Sequence, residues 1–193
     1  MSIRTAALLT LLLWAAAGVG CRSGSGGMIG EMMSGELPLT DAQQVIADMK
    51  LGPSELRVTS TVDRADRTYK VGEPIGLTAQ VNKDAHLAVL RVLPNGMTTL
   101  VYPNREHASA EVKADSVVRV TGAVPEKPGI VLFEFIAAKS GDAFLFDKSR
   151  AEAGNRAELG ATTRSLAKEI TQSLKPGPSR DTAAAQVAVR VIP

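Results

Sequence analysis

The sequence is short of the residues on which most metal and catalytic sites depend. It has one cysteine and two histidines in 193 residues. A single cysteine can form neither an intramolecular disulfide nor a thiolate metal cluster. His86 and His107 are not an i, i+4 pair and belong to no HExxH sequence, so the common zinc-hydrolase motif is absent. We therefore expect no cofactor and no metal, and the residues do not favour an enzyme.

Aromatic residues and an excess of charge are also lacking. Aromatics make up 4% of the chain, and 22 basic residues stand against 20 acidic ones. Nucleic-acid-binding domains carry basic clusters, so this balance argues against a nucleic-acid partner. Glycosidase clefts usually need aromatic platforms, which this composition barely supplies. Beyond the N-terminus, no apolar run is long enough to cross a membrane.

The first 20 residues have the pattern of a secretory signal. Arg4 supplies a positive charge, and residues 6–17 form an apolar run that is too short to span a bilayer comfortably. The run is followed by Gly-Val-Gly-Cys, which resembles the bacterial lipobox, in which the cysteine becomes the lipidated mature N-terminus. Gly18 departs from that pattern, because the lipobox usually has an aliphatic residue there.

The lipobox resemblance implies cleavage before Cys21 and a diacylglyceryl thioether on its sulfur, with acyl chains such as palmitate anchoring the protein in the membrane. Two alternatives stay open, a buried core cysteine and an ordinary signal cleaved nearby. Residues 21–36 are rich in glycine and serine and predict a flexible tether. Arg22 is not the aspartate associated with inner-membrane retention. In a Gram-negative cell we expect an outer-membrane protein that faces the periplasm.

Residues 37–193 predict a single, mainly β domain. Asn-Gly between two apolar runs is a strong hairpin signal, and it predicts strands over 86–93 and 97–102. The continuous apolar run GIVLFEFIAA predicts a central strand covered on both faces, and QVAVRVI alternates like a terminal strand. About seven short strands with turn signals between them predict an antiparallel β-sandwich or a partly closed barrel.

Two short helices interrupt this β pattern. Thr40 suits the N-cap of the first, and the second covers residues 162–174, where Leu166 and Ile170 share one face. The polar stretch over 141–161 predicts a loop.

A set of turn and aromatic residues in the middle of the chain carries a family resemblance. An aromatic residue is followed by x-x-Gly-Glu, an alternating strand, an Asn-Gly turn and a strand closing on Tyr-Pro-Asn. These residues are Tyr69, Gly72, Glu73, Asn95, Gly96, Tyr102, Pro103 and Asn104. In this pattern residues 68–140 resemble a bacterial family, the domain of unknown function numbered 4384. The resemblance implies a β-rich accessory or interaction domain, found beside signalling kinases and caspase-like peptidases and in surface lipoproteins. It carries over no catalytic residue.

Three hypotheses follow for function. In the first, the protein is an envelope lipoprotein, bound to the membrane through Cys21, whose domain is a non-catalytic interaction or accessory module for an envelope protein. The possible interaction or turn positions are Asn95, Gly96, Tyr102, Pro103 and Asn104. The second is an envelope hydrolase or metal-dependent enzyme that uses His86, His107 and nearby carboxylates. The third is a carrier with an apolar ligand cavity.

Overall fold

The computed structural model describes residues 37–52, 54–123, 127–140, 144–146, 157–158, 162–174 and 181–193. The predicted signal, Cys21 and tether lie outside these residues, and so their roles remain predictions. None of the helices in the described ranges has the length and apolarity that a membrane crossing requires.

Strands dominate the described chain, as the sequence predicts. They are β1 Val58–Val62, β2 Thr68–Lys70, β3 Pro74–Val81, β4 Ala85–Val92, β5 Thr98–Tyr102, β6 Glu111–Val112, β7 Val117–Ala123, β8 Gly129–Ala138, β9 Ala157–Glu158 and β10 Thr182–Ile192. The helices are α1 Asp41–Ala47 and α2 Thr163–Ser173, with a 3₁₀ turn at Phe144–Phe146. Seven strands have five or more residues, which matches the expected number, and β2, β6 and β9 have two or three.

The strands form two sheets. One sheet has three antiparallel strands in the order β1-β3-β7. The other has seven strands, in the order β2-β10-β8-β4-β5-β9, with β6 added to β4. Its central pairs are antiparallel, whereas β2 runs parallel to β10. Neither sheet closes on itself within the described residues. The fold is therefore a β-sandwich rather than the barrel that the sequence also allowed.

The central strand β8 shows why the sequence lacks alternation there. Phe133 and Phe135 face the core between the two sheets, while Leu132 and Ile136 face a second core beneath the helices. All four side chains are at most 2% exposed. Because both faces of this strand are covered, apolar residues follow one another along GIVLFEFIAA instead of alternating with polar ones, with Glu134 as the exception.

Both helices lie over the second face of the seven-stranded sheet, where Ile46 of α1 and Ile170 of α2 join one apolar cluster. A capping box begins α1: Thr40 accepts a hydrogen bond from the backbone of Gln43, whose side chain accepts one from Thr40 N–H at 3.0 Å. The amide of Gln43 then donates to the backbone oxygens of Val92 and Ile130, at 3.0 and 2.8 Å. These bonds attach α1 to the ends of β4 and β8.

Candidate functional site

The first part of the family-like pattern builds a closed polar cluster around Tyr69 on β2. The Tyr69 side chain is fully buried, and its hydroxyl donates a hydrogen bond to the Asp63 carboxylate. The guanidinium of Arg64 lies 4.7 Å from the centre of the Tyr69 ring. It also forms two hydrogen bonds with the Glu73 carboxylate, at 2.6 and 2.9 Å. Arg64 thus joins the aromatic and acidic members of the pattern.

The Gly-Glu pair in that pattern shapes a tight turn between β2 and β3. Gly72 has a φ of 73°, which glycine adopts without the strain that other residues incur. Glu73 N–H donates to Lys70 O at 3.0 Å, and the Glu73 carboxylate accepts from Lys70 N–H at 2.7 Å. Gly72 and Glu73 therefore both stabilise the turn between β2 and β3.

Two shifted pKa values agree with a structural role for this cluster. Burial, followed by the hydrogen bond to Asp63, raises the pKa of Tyr69. The hydrogen bond from Arg64 lowers the pKa of Glu73. Tyr69 therefore stays protonated and Glu73 stays ionised at neutral pH, and neither is poised to exchange protons.

The Asn95-Gly96 turn is packed against both helices. Gly96 is buried and has a φ of 84°. A Cβ atom there would lie 2.5 Å from Thr163 Oγ1 of α2 and 3.0 Å from Ala42 Cβ of α1. Asn95 is exposed, and its side chain accepts a hydrogen bond from Met97 N–H at 3.0 Å. Among the predicted interaction positions in this turn, the structure leaves the Asn95 side chain accessible and covers Gly96.

The Tyr-Pro-Asn end of the pattern fixes the loop after β5. Tyr102 and Pro103 are buried, and the Tyr102 hydroxyl donates to Ser109 O at 2.9 Å. The Asn104 side chain donates to Val101 O at 3.1 Å and accepts from two backbone N–H groups further along the loop, at 3.0 and 2.9 Å. Asn104 therefore caps its loop, as expected for a residue that bonds local backbone.

The two histidines have different surroundings. His86 on β4 lies beside the Phe146 ring, with 5.7 Å between ring centres, and its Nε2 is 3.9 Å from the Glu111 carboxylate. His107 lies beside Tyr102, with 6.1 Å between ring centres. Within the described residues, no three His, Cys, Asp or Glu side chains are grouped closely enough to hold a metal ion. The metal-dependent hypothesis gains no ligand set from the described residues.

A buried acid on β8 is a feature that the sequence analysis missed. Glu134 is 3% exposed, and its Oε2 atom has no hydrogen-bond partner among the described residues. It faces the helix side of the sheet between Leu132 and Ile136, with Leu90 and Gln186 as cross-strand neighbours. Burial raises the pKa of Glu134 to about 9, so the carboxyl is neutral at neutral pH.

The second missed feature is an edge of β10 that is open among the described residues, and we call it the open edge. Its pairing with β8 covers Thr182–Val191, but its pairing with β2 covers only Arg190–Ile192. Arg190 N–H donates towards the β2 side, to Arg67 O at 2.8 Å. Because backbone groups alternate in direction along a strand, the N–H and C=O groups of Ala184, Gln186 and Ala188 point the same way as those of Arg190. No strand in the described part of the chain pairs with that stretch of edge.

Cavities adjoin the edge at two places. One, of about 370 Å³, is bordered by Gln186 and Ala188 together with Arg67. The other, of about 660 Å³, is bordered by Thr182, Ala183 and Ala184 together with residues of β1 and of the segment after α1. Residues 182–189 include no charged residue and no proline, which are the usual devices that block pairing at an edge.

The fold and its turns define a β-sandwich domain with a helix-covered outer face. Residues 68–128 match the family model described as "Domain of unknown function (DUF4384)", about a third of the chain. The chain therefore carries a domain that resembles this family, as the turn residues predicted. The match ends at residue 128, just before β8 begins, so the predicted resemblance over 129–140 lies beyond it. No curated protein matches the chain.

Proposed function

We propose that the protein is a membrane-anchored envelope lipoprotein, held through lipid on Cys21, whose β-rich domain is a non-catalytic interaction module for another envelope protein. The observation that carries the interaction role is the open edge of β10, with which no strand of the described ranges pairs. Unpaired backbone N–H and C=O groups on a regular strand form a template for another strand, and domains that bind extended segments use such edges.

Two features of the sequence support the anchored location. The apolar run over 6–17 has the length of a signal core, and the Gly/Ser-rich residues 21–36 give the domain reach from a membrane surface. Two acyl chains hold a protein stably at a bilayer, where one gives marginal binding. Intact mass of detergent-extracted protein tests this part. We expect a chain beginning at Cys21 plus diacylglycerol, and a Cys21→Ala variant without lipid. Wild-type protein without lipid would contradict the anchor.

Site-specific photo-crosslinking in the native envelope tests the interaction role. A photoreactive residue replaces Ala184, which is exposed at the open edge. The matched control carries it at Arg119, which is exposed on β7 between the inward-facing Val118 and Val120. We expect a discrete crosslinked protein band from position 184 and none from position 119. No band from either position, or the same bands from both, would contradict an interaction module at this edge.

A further inference from the structure

We propose that the open edge of β10 binds an extended, acidic segment of the partner as an added strand. This inference rests on the proposed function and adds the chemistry of the partner. Its first component is the backbone. The outward groups of Ala184, Gln186 and Ala188 match the hydrogen-bonding pattern of a strand laid alongside, and they impose an extended conformation without choosing a side-chain sequence.

The second component is the spacing of the two cavities along the edge. One adjoins Ala183 and the other adjoins Ala188. At about 3.3 Å per residue, this separation corresponds to roughly 17 Å of extended chain. A bound segment of about eight residues therefore passes both cavities. In strand addition, backbone bonds give affinity, and pockets that receive alternate side chains give specificity.

The third component is charge. The cavity beside Ala188 includes Arg67, and the cavity beside Ala183 includes Lys50 and Arg57. No acidic side chain is among the described residues that line either cavity. Charge complementarity therefore favours glutamate or aspartate in the bound segment. It also speeds the encounter with acidic segments and disfavours the binding of basic ones.

Two acidic residues that adjoin these cations in sequence make other contacts. The Asp66 carboxylate accepts a hydrogen bond from Thr68 N–H at 3.3 Å, and Glu55 forms a 2.6 Å ion pair with Lys83. The Glu55 carboxylate is therefore paired with Lys83 rather than with Arg57.

A second copy of the chain is the obvious competing occupant, because two open edges can pair around a two-fold axis. Pairing β10 with its copy would bring the Arg67 side chains and their cationic neighbours towards each other. The edge itself offers no acid to compensate, since residues 182–189 are uncharged. Charge therefore favours an acidic partner segment over self-association.

Fluorescence anisotropy with the purified full chain in detergent tests the inference. The probe is a labelled ten-residue peptide that alternates glutamate and valine, and its matched control has lysine in place of glutamate. We expect saturable binding of the glutamate peptide that weakens with salt, and at least tenfold weaker binding of the lysine peptide. Equal binding of both, or binding of neither, would overturn the acidic-strand proposal.

Backbone and charge variants locate the site. Gln186→Pro removes an outward N–H without touching the ladder to β8, and we expect at least tenfold weaker binding. Gln186→Ala is the matched control, because it keeps the N–H, and it should bind within about twofold of wild type. Far-UV circular dichroism must match for both variants. Equal affinity of the proline and alanine variants would overturn edge binding.

Arg67→Glu combined with Arg57→Glu should weaken binding of the glutamate peptide at least tenfold, while Arg119→Glu should leave it unchanged. If the Arg67→Glu, Arg57→Glu double variant binds the glutamate peptide as tightly as wild type, the charge argument fails. If the free wild-type protein is dimeric by sedimentation and the Gln186→Pro variant is monomeric, the edge belongs to a second copy instead.

Crosslinks from position 184 without peptide binding would defeat the acidic-strand inference and leave the interaction module standing. Peptide binding without any crosslink in the envelope would support the acidic-strand chemistry of the edge and contradict an envelope partner at this edge.

Discussion

The family-matched segment and the two long strands that follow it use polar groups in opposite ways. In the matched segment, the side chains of Tyr69, Glu73 and Asn104 form internal hydrogen bonds. In β8 and β10, which lie beyond the match, the Glu134 Oε2 atom and the outward backbone groups of β10 have no partner among the described residues. The comparison teaches that the polar side chains of the pattern stabilise the scaffold, whereas the buried Glu134 and the outward groups of β10 lie beyond the matched segment. His86 Nδ1 is the matched segment's one buried exception among described side-chain atoms.

The largest expected effect concerns Glu134 and pH. The pKa of Glu134 is about 9 in the folded protein, against 4.5 for an ordinary glutamate. The unfolded chain therefore loses this proton near pH 4.5, whereas the folded chain keeps it up to about pH 9. The stability that the protonated carboxyl contributes is therefore fully present below pH 4.5 and is lost as the pH rises to about 9. At about 1.4 kcal/mol per unit, the full loss reaches up to about 6 kcal/mol.

Urea unfolding across this pH range checks the prediction. Glu134→Gln, which cannot ionise, should remove most of the decline in unfolding free energy between pH 5 and 9 seen in wild type. Glu169→Gln, at an exposed position on α2, is the control and should not change the slope. Parallel curves for wild type and Glu134→Gln would show that the carboxyl is ionised in the folded state.

Tyr69→Ala should give the next largest effect. Removing a fully buried aromatic ring from the core between the sheets costs about 3–5 kcal/mol. Tyr69→Phe keeps the ring and loses only the hydrogen bond to Asp63, so its cost should be about 1 kcal/mol. Chemical unfolding measures both. A cost for Tyr69→Ala no larger than that of Tyr69→Phe would contradict a scaffold role for this residue.

Gly96→Ala should have a smaller effect, of about 1–3 kcal/mol. The new Cβ would meet Thr163 Oγ1 at 2.5 Å, and the φ of 84° disfavours alanine. Asn95→Ala, next to it on the exposed side of the turn, should cost less than about 1 kcal/mol. Thermal unfolding distinguishes them. Gly96→Ala with wild-type stability would mean that the turn is not clamped between the helices.

The sequence best predicts those elements in which the local residue pattern matches the burial of the side chains in the structure. The β8 run is apolar at nearly every position because both of its faces are covered, and Thr40 with Gln43 forms the capping box that begins α1. The sequence does not predict β2, β6 and β9, because strands of two or three residues are too short to show a periodic pattern. Consequently part of the stretch over 141–161, predicted as a loop, contains a 3₁₀ turn and β9.

Neither Glu134 nor the open edge was predictable from local pattern. A single glutamate in GIVLFEFIAA resembles an ordinary polar interruption until the strands on either side are known. The edge depends on β2, more than 100 residues earlier in the chain, ending its pairing at Arg190. Residues 182–189 have the same composition whether a neighbouring strand covers them or not. Such pairings are long-range, and sequence periodicity reports only which face of a strand is buried.

Residue-resolved amide hydrogen exchange of the free protein tests the open edge most directly. The N–H groups of Ala185, Val187 and Val189 point to β8 and should exchange slowly. Those of Ala184, Gln186 and Ala188 point away and should exchange at least about tenfold faster. Adding the glutamate-valine peptide should slow these three and leave the other set unchanged. Slow exchange at all six positions in the free protein would show that the edge is already paired, and would contradict the account.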